Sequence, residues 1–140
     1  MLKPITLKQV ELITHSLAHR MRRFAEPIPA FETRFPHILE SCLLTPFGTF
    51  GGKDLYKKFE DKAAILFYLM IKNHPFQNGN KRIAVTTLLA FLYENGFWLY
   101  VENKDFYRFS VWIASSPSEV KSETIMAIST FIKIYKKKLI

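Results

Sequence analysis

The segment from about Glu60 to Asn73 constrains the fold most, because its apolar residues run almost without interruption. A helix that is apolar on every side is usually buried in the centre of a bundle. The longest fully apolar run, from Ala63 to Ile71, is too short to cross a bilayer, which needs about 18 to 20 such residues. The sequence therefore predicts a central helix surrounded by other helices, and no membrane span.

Helix signals flank this central segment on both sides. Thr6-Leu7-Lys8-Gln9 has the form of a capping box and opens an apolar pattern at helical spacing. Pro27 and Pro29 would end that first helix, and Pro36 suits the first turn of a second helix that stops near Leu44. Further helices are predicted from Gly79 or Asn80 to Asn95-Gly96, near 104–115 under an Asn103 cap, and near 117–137 under a Ser116-Pro117-Ser118-Glu119 box.

Strand signals are scarce in this chain. Residues 46–58 contain three glycines among aromatic residues and lysines, and this composition predicts a loop or a short hairpin. With 140 residues, 49% of them apolar and 13 of them Phe, the chain fits one packed domain and not a disordered segment. The predicted fold is a single all-α domain over residues 1–140, a compact helical bundle with a short loop or β-hairpin.

Cysteine content and charge bear on the compartment and the partners. Cys42 is the only cysteine, so no internal disulfide can form, and a buried apolar thiol is predicted. The first ten residues lack the apolar core of a signal peptide, so a reducing cytoplasm is expected. The net charge is +8, with basic clusters at Arg20, Arg22 and Arg23 and at Lys136–Lys138. Since no nucleic-acid-binding motif accompanies them, an acidic protein or an anionic nucleotide is the expected partner, and nucleic acid is not.

The nonapeptide HPFQNGNKR, residues 74–82, lies where the central helix should end and the next should begin. A helix N-terminus offers unpaired N–H groups and partial positive charge, both of which favour phosphate. His74 could take a proton from a hydroxyl, and the guanidinium of Arg82 matches phosphate oxygens. Gly79 permits close approach of the backbone to an anion, and Asn80 could cap the helix or bond a phosphate oxygen. This pattern indicates a phosphate-transfer site.

The same nonapeptide resembles the motif of the Fic/Doc family, H-P-F-x-[D/E]-G-N-[G/K]-R, at every position except the acidic one. Lys81, in the eighth position, is similar to the Doc (death-on-curing) branch. Weaker similarities occur in the same order on both sides of the motif, at Ile38-Leu39-Glu40-Ser41, Phe50-Gly51-Gly52, Leu55-Tyr56, Lys62-Ala63-Ala64 and 91–97. The resemblance covers roughly residues 5–115 and implies the helical bundle of the Fic/Doc type.

The resemblance also implies an activity. His74 would activate a Ser, Thr or Tyr hydroxyl of a target protein, with the translation elongation factor Tu as the expected target. Lys81 and Arg82 would be catalytic and, with Gly79 and Asn80, would bind the phosphates of MgATP. Lys81 in place of Gly implies transfer of the γ-phosphoryl group.

Two further features follow from the resemblance. Gly51, Gly52 and Lys53 would form the flap that docks the target by strand-like pairing. The self-inhibiting [S/T]-x-x-x-E-[G/N] segment of some Fic proteins is absent from the sequence, so a toxin of this kind would need an antitoxin in trans.

Asn78 stands where the family has an acidic Mg²⁺ ligand, and this departure leaves alternatives open. An Asn carbonyl can coordinate Mg²⁺ but brings no charge, so the metal would be held mainly by the nucleotide or the activity would be weakened. The alternatives to a Doc-like kinase are therefore a Fic-type AMP transferase and a member that binds a nucleotide or a partner without turnover.

Overall fold

The computed structural model describes residues 1–21 and 28–139. Six α-helices make up most of the described chain, which confirms the predicted all-α class. They are α1 Leu7–Met21, α2 Pro36–Leu44, α3 Phe59–Lys72, α4 Asn80–Glu94, α5 Asn103–Ser115 and α6 Lys121–Tyr135. Short 3-10 turns occur at Phe31–Thr33, Thr45–Phe47 and Ser118–Val120.

Helix α3 forms the centre of the bundle, as the sequence predicts. Every residue from Lys62 to Ile71 is buried, and α2, α4, α5 and α6 all pack against this helix. Because this segment is buried on all sides, it has no polar face. The end of this fixed central helix sets the position of the residues that follow it. Among the described residues, no helix is both long enough and apolar enough to cross a membrane.

The predicted start of α1 and bounds of α2 are confirmed. The Gln9 side chain accepts a hydrogen bond from the Thr6 amide at 2.8 Å, and the Gln9 amide donates to Thr6 Oγ1 at 3.2 Å. Helix α2 begins at Pro36 and ends at Leu44. The predicted stop at Pro27 and the basic cluster at Arg20, Arg22 and Arg23 lie outside the described residues and side chains.

The predicted caps of the last two helices are wrong. Asn103 is the first residue of α5, and the preceding Glu102 makes no capping bond through its side chain. Ser116 donates its hydroxyl to the Ile113 carbonyl at 2.6 Å, so it completes the C-terminus of α5 and does not cap the next helix. Residues Ser118–Val120 then form a 3-10 turn, and α6 begins at Lys121.

A β-hairpin follows α2, in the segment predicted as a loop or short hairpin. Strand β1 (Thr49–Phe50) pairs antiparallel with β2 (Lys53–Asp54), and all four residues are exposed. Gly51 and Gly52 connect the strands with φ angles of 59° and 78°, in the left-handed region that two-residue hairpin turns require.

A second small sheet joins remote parts of the chain and was not predicted. Strand β3 (Phe97–Leu99) pairs antiparallel with β4 (Lys136–Lys138). Lys136 forms an ion pair with Glu60, and its ammonium group lies 4.3 Å from the centre of the Phe97 ring. The lysines expected to extend the last helix are therefore part of a strand that fastens α6 to the start of α3.

Candidate active site

His74 lies directly after α3, in a backbone conformation that is unfavourable for a side chain. The helix ends at Lys72 with Asn73 as its cap, and His74 has φ 50°. It is the only described residue other than glycine with positive φ. Such strain is typical of functional positions and persists where the surroundings enforce it. His74 is exposed.

The residues after His74 are fixed by burial. Pro75 and Phe76 are both buried, and the Phe76 ring lies 6.4 Å from the ring of Phe31, centre to centre. The Pro75 carbonyl accepts a hydrogen bond from the Phe35 amide at 2.9 Å. Phe76 therefore anchors the loop in the core, and this anchor holds the polar motif residues at the surface.

Asn80 closes the motif loop and does not cap α4. Its Oδ1 accepts from the Phe76 amide at 3.0 Å, and its Nδ2 donates to the Phe76 carbonyl at 2.8 Å. The same Nδ2 lies 3.4 Å from Nδ1 of His74. The cap of α4 is Gly79, with no capping side chain. The expected capping role of Asn80 is thus replaced by a bracing role, which orients the imidazole.

Glycine is favoured at position 79 by its positive φ, and a side chain there would also have to displace the end of the Ile28 side chain. The φ of Gly79 is 71°, and a Cβ built there would lie 2.6 Å from Cδ1 of Ile28. Helix α4 begins at the next residue and has no acidic residue in its first turn. The N–H groups and partial positive charge of this helix start are thus not offset by a neighbouring carboxylate of that turn.

The motif residues surround one cavity of about 220 Å³. None of the described residues that line it is acidic, and the flanking Lys81 and Arg82 are half-buried. The cavity therefore suits an anion of several oxygens, such as a polyphosphate. Its lining consists of Ile71, His74, Gln77, Asn78, Gly79, Asn80, Lys81, Arg82, Tyr107 and Ala114.

Tyr107 also lines the cavity, and it could not be found from the motif because it comes from α5. Lys72 holds α5 in place by donating to the carbonyls of Ala114 and Ser116 at 3.2 and 2.5 Å. The last turn of α3 thus positions both the imidazole and the opposite wall of the cavity.

A magnesium ion would find few protein ligands here. The side-chain oxygens of the lining belong to amides and to the Tyr107 phenol, and the Asn80 oxygen is already occupied. Mg²⁺ favours carboxylate oxygens and phosphates. Asn78 lines the cavity and is exposed, so its amide could add one neutral ligand to a metal held by a nucleotide.

The predicted flap residues Gly51, Gly52 and Lys53 do not line the cavity. Both ends of the hairpin are instead attached to Lys62 of α3, which is only 3% exposed. Its ammonium group donates to the carbonyls of Tyr56 and Pro46 at 2.6 and 3.3 Å and lies 3.2 Å from a carboxylate oxygen of Asp54. The position of Lys62 directly before the long apolar run of α3 was a signal for this role.

Comparison with known proteins agrees with this geometry. A sequence model described as the Fic/DOC family matches residues 4–92. The chain is 37% identical over 62 residues to "Toxin Doc" of Mycolicibacterium smegmatis (strain ATCC 700084 / mc(2)155), which covers 44% of this chain and 48% of that protein. The chain thus spans about half the length of this curated relative. No solved structure matches the chain. Since the family match includes the whole of the cavity-forming nonapeptide and more than half of the sequence, the chain belongs to the Fic/DOC family.

Proposed function

We propose that this protein is a Doc-like toxin of a toxin–antitoxin pair, which transfers the γ-phosphoryl group of ATP to a hydroxyl side chain of a cytoplasmic protein. The observation that carries the proposal is the single cavity in which His74, Gly79, Lys81 and Arg82 surround the start of α4. The partial similarity to "Toxin Doc" supports it.

Each residue has a role in this reaction. The target hydroxyl oxygen forms a bond to the γ-phosphorus, the bond from that phosphorus to its bridging oxygen breaks, and ADP leaves. The hydroxyl proton passes to the imidazole of His74. Arg82 binds phosphate oxygens through its planar group of donors, and the α4 N-terminus with Gly79 adds backbone donors. Phosphoryl transfer depends mainly on such positioning and charge neutralisation.

Lys81 favours phosphoryl transfer over AMP transfer. Its side chain occupies part of the cavity wall where a glycine would leave open backbone, and it adds charge beside Arg82. A triphosphate would therefore bind with a different phosphate next to His74 than in a Gly-containing site. Magnesium bound to the triphosphate would neutralise part of its charge, with Asn78 as the nearest protein ligand we assign.

The proposal includes two protein partners. The target, with elongation factor Tu as the first candidate, would dock along the exposed hairpin β1–β2, whose strands offer backbone groups for pairing. The second partner is an antitoxin that inhibits the enzyme in trans. A small neighbouring gene with a DNA-binding segment would support this pairing, whereas an isolated gene would contradict it.

The test is incubation of the purified protein and elongation factor Tu with ATP labelled at either the α or the γ position. Label transferred from the γ position supports the proposed kinase, and label from the α position identifies an AMP transferase instead. The His74→Ala variant is the control and should transfer neither. If wild type binds ATP and transfers neither label to any protein of a cell extract, the chain is a binding-only member, the alternative that Asn78 favours.

A further inference from the structure

Three side chains of the kinds that bind metal ions meet where the 3-10 turn Phe31–Thr33 packs against α1. They are Glu11 and His15 of α1 and Glu32 of the turn, and one possible ligand atom of each lies within 4.8 Å of the other two. Glu11 is half-buried, and the other two side chains are exposed. Within the described part of the chain, no other group of three or more His, Cys, Asp or Glu side chains is placed in this way.

We propose that Glu11, His15 and Glu32 together bind a Zn²⁺ ion that joins α1 to the turn before α2. None of the three residues lines the cavity formed by the motif, so the site is separate from any magnesium that enters with a nucleotide. The inference does not depend on the proposed function, because it concerns a different ion at a different place.

The two ligands from α1 share one face of the helix. Glu11 and His15 are four residues apart, and side chains at this spacing lie one above the other, one turn apart. Both positions lie inside α1, whose start is fixed by the capping box at Thr6. The helix therefore holds a carboxylate and an imidazole next to each other without any contribution from the rest of the fold.

The third ligand is presented by a turn with a fixed backbone. Thr33 donates both its amide and its hydroxyl to the Ala30 carbonyl, at 3.0 and 2.7 Å, and the Arg34 amide donates to the Phe31 carbonyl at 3.1 Å. Phe31 is buried in the core. The backbone that carries Glu32 is thus ordered by its own contacts, which reduces the entropy that metal binding has to overcome.

The mixed donor set favours zinc over the hard cations. Mg²⁺ and Ca²⁺ bind through oxygen, whereas Zn²⁺ binds imidazole nitrogen and carboxylate oxygen and often completes three protein ligands with a water molecule. The carboxylates of Glu11 and Glu32 repel each other at this separation, and a divalent cation between them turns that repulsion into attraction.

Competition for these ligands is weak. Among the described residues, the cation paired with the cluster is Lys8, whose ammonium group lies 3.3 Å from one carboxylate oxygen of Glu11. The Lys8 side chain is 75% exposed, and such surface pairs contribute little. The described residues offer His15 and Glu32 no hydrogen bond or ion pair, so both side chains can turn towards a metal ion.

The turn that would carry the ion also supports the motif loop from inside the molecule. The Phe31 ring lies 6.4 Å from the ring of Phe76, centre to centre, and the Phe35 amide donates to the Pro75 carbonyl at 2.9 Å. A Zn²⁺ ion that fastens Glu32 to α1 should therefore stabilise the position of the motif loop without entering its cavity.

The first test is calorimetric titration of the tag-free protein with zinc chloride. Wild type should bind one ion per chain, and His15→Ala and Glu32→Gln should each weaken binding at least about ten-fold, because loss of even an outer partner of a metal site has an effect of this order. The matched controls are His37→Ala and Glu40→Gln, which remove the same kinds of side chain from exposed positions on α2 and should bind Zn²⁺ like wild type. Magnesium chloride in about a hundred-fold excess should not displace the zinc.

Three results of this titration would overturn the proposal. If Glu32→Gln binds Zn²⁺ with wild-type affinity, the ion is held by α1 alone and joins nothing. Equal losses in His37→Ala would show scattered binding to surface histidines. Displacement by magnesium would show that the cluster attracts any divalent cation by charge alone.

The second test measures the link between the two segments. Zinc should raise the unfolding temperature of wild type and slow amide hydrogen exchange over residues 31–35 and 76–80, and neither effect should occur in Glu32→Gln. Zinc that binds but leaves exchange in these segments unchanged would contradict the link. Neither test involves phosphoryl transfer, so failure of the zinc site leaves the proposed function standing, and failure of the proposed function leaves the zinc site standing.

Discussion

At the scale of single residues, His74 combines exposure with a left-handed backbone that only its neighbours can enforce. A buried Phe76 on one side and the end of α3 on the other determine its position. The sequence placed the motif between two helices, but it did not predict this strain. Backbone strain arises from the packing of both flanking elements, which no local pattern encodes.

Substitutions of His74 test its catalytic role and its backbone strain separately. Both His74→Ala and His74→Gly should abolish transfer, because each removes the proposed base. His74→Gly should nevertheless be more stable than His74→Ala by roughly 1 kcal/mol, since glycine accepts positive φ without a steric cost. Urea unfolding of the two variants measures this difference. Equal stabilities would show that position 74 is unstrained, and more than a few per cent of residual transfer would exclude His74 as the base.

Asn78 should raise the Mg²⁺ concentration that the transfer reaction requires. We expect Asn78→Asp to lower the Mg²⁺ concentration for half-maximal transfer about ten-fold, because a carboxylate adds the charge that this hard cation favours. Titration of the transfer rate with Mg²⁺ measures the effect. Asn73→Asp adds the same charge just before His74 but outside the cavity, and serves as the control. An unchanged dependence in Asn78→Asp would mean that residue 78 does not reach the metal.

At the scale of elements, prediction succeeded where the signal is local. Each successful prediction depended on a few neighbouring residues. These were the capping box of α1, the proline that opens α2, the apolar run in α3 and the glycine turn of β1–β2. It failed where a side chain bonds backward along the chain and not forward into the helix that follows it. Ser116 was expected to cap α6, but its hydroxyl bonds the end of α5, and Asn80 braces the motif loop.

The hairpin β1–β2 should lose order without Lys62. In Lys62→Met the aliphatic part of the side chain remains, but three acceptors at the two ends of the hairpin lose their donor. We expect a loss of about 1 to 3 kcal/mol in stability and faster amide hydrogen exchange across residues 47–57. Exchange in the centre of α3 should become faster only in proportion to the loss of global stability. The exposed Lys57→Met is the control, and unchanged hairpin exchange in Lys62→Met would remove the anchoring role.

At the scale of the whole molecule, the sheet β3–β4 joins the segment after α4 to the segment after α6, and the Lys136–Glu60 ion pair connects it to the start of α3. This link was not detectable in the sequence. Three consecutive lysines do not indicate a strand, and their partner strand is remote in the chain. The motif cavity shows the same limit, since the nonapeptide predicted one wall and α5 supplied the other. The sequence predicted where the motif lies between two helices, but not the surface that faces it.

The ion pair that secures this sheet should make stability depend on pH. Burial is the largest single effect and raises the pKa of Glu60. The hydrogen bond from Lys136, a backbone hydrogen bond and the charges of Lys136 and Lys133 together outweigh burial and hold the pKa below the usual value of 4.5. The ionised carboxylate therefore stabilises the fold above about pH 4.5, and this contribution is lost as the pH falls through the lowered pKa.

The measurement is the difference in unfolding free energy between wild type and Glu60→Gln as a function of pH. The difference should be largest near neutral pH and should shrink below about pH 4.5. Glu123→Gln, in the exposed first turn of α6, should show no such trend. A difference that stays constant down to pH 3 would contradict the assignment of this ion pair.

The burial of Cys42 makes the reactivity of its thiol a measure of local opening of the fold. Its thiol is fully buried on α2, and burial raises its pKa to about 12, so the reactive thiolate is almost absent while the fold is closed. A maleimide dye added at neutral pH can therefore modify the protein only during openings that separate α2 from α3. Because the sequence has no other cysteine, the labelling rate reports the exposure of this one thiol, and binding of a nucleotide or a partner that stabilises the closed fold should slow the labelling.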